Sequence, residues 1–343
     1  MSLYDLVRDL PLEIELLDFE AASVQISPEF TRRTTTVRLL GQGHTGLGED
    51  VTYDGNEHQA ERLPRIEAAG SWTFDSFSKH LDGLDLFPVE APAQHAYLDY
   101  RRWAFESSAL DLALRQAGRS LGDAVEREAR PLTFVSSTRA SGLEGWLDLY
   151  PDLRFKLDPT PDWSDELIAT LAARGNVDVA DLKGAYVGTS VDNPPNADLY
   201  RRVAEGLPDA WIEDPALDEE TDPVLEPHRD RITWDAPIHS WPDVEALPFA
   251  PKCLNSKPSR FGSVERLFEF YDRCAEHGIA LYGGGQFELG VGRGHIQLLA
   301  ALFHPDGSND VAPGGYNAPS PVAGLPVSPL DPRPAAVGFR RDE

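Results

Sequence analysis

The sequence predicts a (β/α) barrel of the TIM type preceded by a smaller α+β domain. Two observations carry this expectation. From Arg130 onward, short β-type runs recur at intervals of about 18–30 residues, and helical stretches separate most of them, which is the rhythm of a barrel. No G-x-G-x-x-G follows the first of these runs, Leu132–Ser136, so an open doubly wound sheet is disfavoured. A length of 343 residues suits two domains or one large barrel.

The elements fall in order. Residues 1–128 read as α+β. Leu12–Ser27 has strand-like stretches, and T-T-T-V-R-L-L at Thr34–Leu40 is a strand by propensity. A polar segment, Ser27–Arg33, precedes that strand. A glycine-rich run, Gly41–Gly48, follows it; lacking Lys-Ser/Thr, it is no P-loop and reads as a hairpin turn. Tyr97–Gly118 is helical by apolar periodicity, with Gly118 as its stop. In the barrel, residues 129–318, β-type runs lie at Leu132–Ser136, Leu153–Leu157, Val179–Tyr186, Ala210–Glu213, Ile232–Asp235, Cys253–Ser256 and Ile279–Gly283. Helical stretches include Ser164–Arg174, Ala197–Leu207 and Val264–His277, with a shorter connection at Trp241–Pro248. An eighth strand belongs near Asn309–Ala312. The tail, residues 319–343, is proline-rich and irregular, and is expected to pack on the amino-terminal domain.

Composition excludes several classes. Lys plus Arg number 31 against 57 Asp plus Glu, a formal charge of −26, which argues against nucleic acid and anionic membrane as partners. Hydrophobic residues make up 41%, enough for a real core, so the chain is not disordered. The longest apolar stretch, Leu298–Phe303, is far short of the ~20 residues a transmembrane helix needs. No basic and apolar signal opens the sequence, and Cys253 and Cys274 form no framework or metal spacing; a reduced, cytoplasmic protein is expected.

Arginine is used almost everywhere a cation is needed; the lysines are Lys79, Lys156, Lys183, Lys252 and Lys257. Lysine, unlike arginine, can lose its proton and act as a base. Codon bias is the plainer reading, until the positions are considered. A barrel's active site lies at the carboxyl ends of its strands. There the second run ends in Arg154-Phe155-Lys156, the third in Asp181-Leu182-Lys183, the fourth in Glu213-Asp214, the fifth in Asp235 and the sixth in Lys257. Asp181, Glu213 and Asp235 are three oxygen ligands on separate rigid strands, which suits Mg2+. Lys156 and Lys257 lie four places apart in a ring of eight and would face each other across the metal. Singly, each is a strand-end charge in water. Five on consecutive strands, using two of so few lysines, argue otherwise.

The motifs R-F-K-L-D-P (Arg154–Pro159), D-L-K-G-A-Y (Asp181–Tyr186), W-I-E-D-P (Trp211–Pro215), W-D-A-P-I (Trp234–Ile238), N-S-K-P-S-R-F-G (Asn255–Gly262) and G-G-G-Q-F-E-L-G-V-G-R-G (Gly283–Gly294) occur in this order. The series resembles the enolase superfamily, in its muconate-lactonizing-enzyme-like branch. The last two motifs are most similar to the o-succinylbenzoate synthase and N-acylamino-acid racemase group. Thr31–Glu49 resembles the capping-domain hairpin of that branch. The resemblance implies an α+β cap over a (β/α)7β barrel. It also implies a shared half-reaction, in which a lysine removes the proton beside a metal-held carboxylate to give an enediolate. The base must be a neutral amine, so its pKa must fall from about 10.4, helped by Mg2+ and a second cation such as Arg154.

Lys156 is aligned with the catalytic lysine of strand two; a shift would put Asp158 there instead. Lys183 replaces a common asparagine and is either a third candidate base or a counter-charge. Four readings follow. The first is a Mg2+-dependent lyase, dehydratase or o-succinylbenzoate-synthase-like, acting on a small-molecule carboxylate. The second is a racemase or epimerase of an acyl amino acid or dipeptide. A glycoside hydrolase pairing Glu213 with Glu288 is the third and a non-catalytic barrel the fourth. Glu288, Arg154, Arg32 and Arg33 are the candidate substrate-binding residues. The two arginines sit in or beside Ser27–Arg33, a loop expected, with the hinge-like glycines of Gly41–Gly48, to cover the site and grip a second carboxylate. The plainer reading of both is solvated loop charge. A homo-oligomeric state is left open.

Overall fold

The amino-terminal domain grows from one long hairpin. The computed structural model describes residues 1–28, 30–186 and 191–342. In it β1 (Pro11–Ile14) leads into β2 (Leu16–Gln25), β3 (Thr31–Gly41) and β4 (His44–Asp50). The last three form an antiparallel sheet in that order, and β1 pairs with β5 (Gly70–Thr73). Gln42 and Gly43 turn β3 into β4, both at positive φ (51° and 74°), as a two-residue type I′ hairpin requires. The glycine-rich run is thus a turn for two residues and mostly strand. Two of its other glycines serve packing. A Cβ on Gly46 would lie 2.1 Å from the Ser108 carbonyl oxygen, and one on Gly48 2.0 Å from that of Ala104. They let β4 lie against the second of two helices, α1 (Phe74–Asp82) and α2 (Ala96–Gln116).

A short α3 (Leu121–Ala124) leads to the barrel. Its first half runs β6 (Ser136–Thr138), α4 (Leu143–Leu149), β7 (Phe155–Leu157), α5 (Asp165–Arg174), β8 (Val177–Asp181), α6 (Ala197–Gly206) and β9 (Trp211–Glu213). Then come α7 (Asp222–Leu225), β10 (Ile232–Thr233), α8 (Trp241–Glu245), β11 (Cys253–Ser256), α9 (Pro258–Phe261), α10 (Val264–His277), β12 (Ala280–Gly283) and α11 (Val291–Phe303). Helix boundaries follow local chemistry. The side chains of Ser164, Asn196 and Ser263 accept the N–H groups that open α5, α6 and α10. Gly175 and Gly278, both at φ 67°, close α5 and α10 in the left-handed region.

β6 to β10 are parallel neighbours in chain order, and β11 pairs in parallel with β12. Asn255 N–H donates to the Trp234 carbonyl at 3.1 Å, joining the two groups. The eighth position is only two residues wide: Asn309 bridges to Phe134 and Asp310 to Gly284. Asn309 closes the ring with its side chain, accepting from Gly283 N–H at 2.6 Å and donating to the Thr133 carbonyl at 2.9 Å. The first run is correspondingly ragged; Leu132 makes an isolated bridge to Leu330 of the tail, and regular pairing starts at Ser136. β7, β8 and β11 are buried at every residue, as parallel strands covered on both faces should be. The tail reaches α2, where Asp111 accepts from Phe339 N–H at 2.8 Å and from Arg340 Nε at 2.6 Å.

A charge of −26 repels itself. We therefore expect the melting temperature to rise between low and molar NaCl, as screening shortens to about 3 Å at 1 M. A flat curve would show that the charge serves solubility alone.

Candidate active site

The carboxyl ends of β7 to β11 bring the charged residues together. Lys156, on β7 and 1% exposed, places Nζ 2.9 Å from Asp181 Oδ2 and 2.5 Å from Glu213 Oε2. Asp181 and Glu213 are register partners at the ends of β8 and β9. Lys257, directly after β11, lies 2.7 Å from Asp235 Oδ2. The same oxygen accepts from the Tyr186 hydroxyl at 3.0 Å and faces Arg260 at 3.3 Å. Lys156 and Lys257 thus hold opposite sides of one buried carboxylate group. Lys183 sits just beyond β8 at φ 57° and folds back, its Nζ 2.5 Å from Asp181 Oδ2.

Several participants were not singled out from the sequence, although they lie in its motifs. Asn255, two residues before Lys257, donates to Glu213 Oε1 at 2.9 Å. Asp214 accepts the N–H groups of Asp235 and Ala236 at 2.8 and 2.9 Å, fixing the loop that presents Asp235. Arg260 donates to the Ala236 carbonyl at 2.6 Å. Spacing from Lys257 was the available signal for Asn255 and Arg260.

Burial dominates the electrostatics. It pushes Glu213 up to about 8, aided by Asp181 and Asp235, and Asp214 up to about 7. For Asp235 burial is outweighed by Arg260 and Lys257, which hold it far below the carboxylate range. Burial would also depress Lys156, yet Asp181 and Glu213 hold it well above its ordinary value. The lowered amine foreseen from the sequence is therefore not a property of these residues alone.

Arg154 contributes nothing to this site. A shift in pairing sets Phe155 opposite Val177 but Lys156 opposite Val179, which leaves Asp178 as an extra residue on β8, and Arg154 pairs with that carboxylate. It lies before β7, with Nε 2.6 Å from Asp178 Oδ1 and Nη1 on the Gly175 carbonyl at 3.1 Å. Glu288 is held by its own loop. Its Oε1 accepts Gln286 N–H at 2.7 Å, and its Oε2 has no hydrogen-bond partner and lies 3.7 Å from Arg293. A Glu213–Glu288 hydrolase pair is not formed at the cavity.

Arg32 and Arg33 lie in β3, outside the loop, and point to opposite faces. Of that loop, Glu29 lies outside the described residues. Arg32 is fully buried, and its guanidinium donates to the carbonyls of Val51, Thr52, Gln286 and Phe287 at 2.7, 2.7, 2.8 and 3.1 Å. It fastens the cap to the loop after β12, committing four of its five N–H donors to backbone carbonyls. Glu49 makes a second fastening, accepting from Leu289, Gly290 and Gly292 N–H groups at 2.7 to 3.0 Å around the start of α11. Arg33 is exposed and 3.4 Å from the Gly55 carbonyl. Arg32→Gln should cost about 3 kcal/mol or more, because buried carbonyls lose charged donors. Arg33→Gln should be nearly neutral. Paired thermal melts check both, and equal effects would remove the distinction.

A cavity of about 590 Å3 separates cap from barrel mouth. Five rings line it, Phe30, Tyr53, Tyr97, Tyr100 and Tyr186, with the cations Lys183, Lys257 and Arg260 and no carboxylate among its described walls. A larger cavity of about 650 Å3, beside Cys253, Tyr282 and His304, includes none of Lys183, Lys257 and Arg260 in its walls. The chemistry is with the former.

The residues fit a divalent cation. Asp235 Oδ1 is buried without a hydrogen-bond partner, and Glu213 Oε2 meets only the Lys156 ammonium. Glu213, Asp214 and Asp235 each offer an oxygen within 4.8 Å of the others. Asp214 already accepts two backbone N–H groups, so Glu213 and Asp235 are the stronger donors, with Asp181 alongside.

The capped, parallel barrel is the fold of solved structures described as enolase-superfamily members. The fold matches a dipeptide epimerase from Methylococcus capsulatus, whose structure contains Mg, with TM-score 0.67 and 17% identity over 90% of this chain and 92% of that one. It matches an enolase-superfamily member from Listeria innocua with TM-score 0.60 and 18% identity, over 89% and 84%. The o-succinylbenzoate synthase of Bacillus subtilis is 24% identical over 322 residues, 85% of this chain and 83% of that protein. The chain belongs to the family of the domain of unknown function DUF8230, matching its N-terminal domain over residues 5–124 and its C-terminal domain over 128–318.

Proposed function

We propose that this protein is a Mg2+-dependent cytoplasmic enzyme that removes the α-proton of a small carboxylate, foremost as a lyase. The carrying observation is the placement of Lys156 and Lys257 on opposite sides of Asp181, Glu213 and Asp235. In this reading these three carboxylates hold the metal. A divalent cation there neutralises charge that develops on the substrate carboxylate as the proton leaves. Neutralising Asp181 and Glu213 also removes the attraction that keeps Lys156 protonated. One lysine would take the α-proton and hand it to the β-substituent, which leaves with its bonding pair as the carbon–carbon double bond forms, while the opposite lysine's positive charge balances the anionic intermediate.

The cavity supports a choice of substrate. Rings and three cations without a carboxylate suit an anionic, apolar-bodied acid better than the free ammonium of a dipeptide. The second reading, racemase or epimerase, rests on the same opposed lysines. Proton exchange in D2O against acids, dipeptides and N-acyl amino acids tests both. Mg2+-dependent exchange abolished by EDTA is expected, with net product for a lyase and label without net product for a racemase. Activity that survives EDTA would sink the metal reading.

A further inference from the structure

Both carboxylate oxygens of Asp181 are already engaged by cationic or N–H donors. Its Oδ1 accepts the Lys183 N–H at 3.1 Å, and its Oδ2 faces two ammonium groups, Lys183 at 2.5 Å and Lys156 at 2.9 Å. Asp235, by contrast, keeps Oδ1 without a hydrogen-bond partner. The acidic group whose oxygens already converge comprises Glu213, Asp214 and Asp235 and does not include Asp181.

The two lysines are not equivalent. Lys156 is enclosed between Asp181 and Glu213 and has nowhere else to go. Lys183 has a second carboxylate in reach: Asp158 Oδ1, buried and without a hydrogen-bond partner, lies 3.6 Å from its Nζ. The Tyr186 ring centre is 5.1 Å away. The Lys183 ammonium thus stands within ion-pair distance of both Asp181 and Asp158 at once.

We infer that Lys183 is a tethered cation that competes with the divalent metal for Asp181 and sets how tightly the site grips it. The inference rests on the metal-dependent reading above. A metal on Asp181 must displace this ammonium and then tolerate it a few ångströms away. Both effects weaken binding, because like charges at that range repel strongly in a buried site. Removing a charged side chain beside the metal ligands should therefore tighten metal binding, the reverse of losing a ligand.

The test is calorimetric Mg2+ titration of the full chain without substrate, in wild type, Lys183→Met and Lys183→Arg. Lys183→Met should bind about tenfold more tightly or better, since one buried charge contact is worth more than that factor. Lys183→Arg keeps the charge and should bind no more tightly than wild type. If wild type binds and Lys183→Met is unchanged or weaker, the inference falls and the metal reading stands. If neither binds, both fall. Melting curves in the same buffers check folding, and Lys183→Gln, neutral and polar, repeats the comparison should the methionine variant fail to fold.

Discussion

Lys156→Arg is expected to slow α-proton exchange by about two to four orders of magnitude, the usual worth of a positioned general base. Arginine preserves the positive charge against Asp181 and Glu213 but offers no neutral amine near physiological pH. The loss would therefore report proton transfer and not charge balance. Lys257→Arg should fall comparably if the two lysines share the work, because Lys257 sits on Asp235 at the other side of the carboxylate group. Lys183→Arg should exchange almost normally, since a tethered cation retains its role as a guanidinium. If Lys183→Arg lost exchange while Lys156→Arg kept it, the base would lie after β8 and the strand-two assignment would be wrong.

How much of this was legible in the sequence depended on whether the determining contact was local. The helix starts at Ser164 and Ser263 and the stops at Gly175 and Gly278 were readable because caps act within one turn. Lys156, Asp181, Glu213 and Asp235 were readable because strand ends in a barrel converge whatever lies between them. Arg154 was misplaced because its partner Asp178 is the extra residue of a pairing shift in β8, which leaves no mark in hydropathy. Arg32 looked like a loop charge because its partners, Gln286 and Phe287, lie more than 250 residues away in the chain. Gly46 and Gly48 looked like hinges for the same reason: the backbone they make room for belongs to α2. The eighth strand was faint because Asn309 holds it through side-chain hydrogen bonds, with little regular pairing.

On the metal-binding reading proposed above, Asp235→Asn removes a direct ligand and should cost Mg2+ binding at least the roughly 10–100-fold typical of outer-shell partners. Its Oδ2 balances Lys257 and Arg260, so an amide there would also leave two buried cations short of an anion. Calorimetric titration reads the loss, and unchanged affinity would remove Asp235 from the metal site. The same variant has a second signature in pH. Glu213 and Asp214 are raised to about 8 and about 7 by burial first, with Asp235 among the carboxylates that add to it. A carboxyl group raised above its unfolded value favours the fold at low pH and loses that contribution as pH climbs through its folded value. The metal-free protein should therefore lose stability progressively from about pH 4, where the unfolded carboxyls ionise, to about pH 8. Mg2+ needs Glu213 ionised, so its affinity and its thermal stabilisation should grow across the same window and level off above it. Removing the Asp235 charge eases the ionisation of both neighbours and should move the metal-free stability loss toward lower pH. Melting temperatures against pH, with and without Mg2+, would show that displacement; an unshifted curve would mean that Asp235 does not act on Glu213 and Asp214 as their shared burial implies.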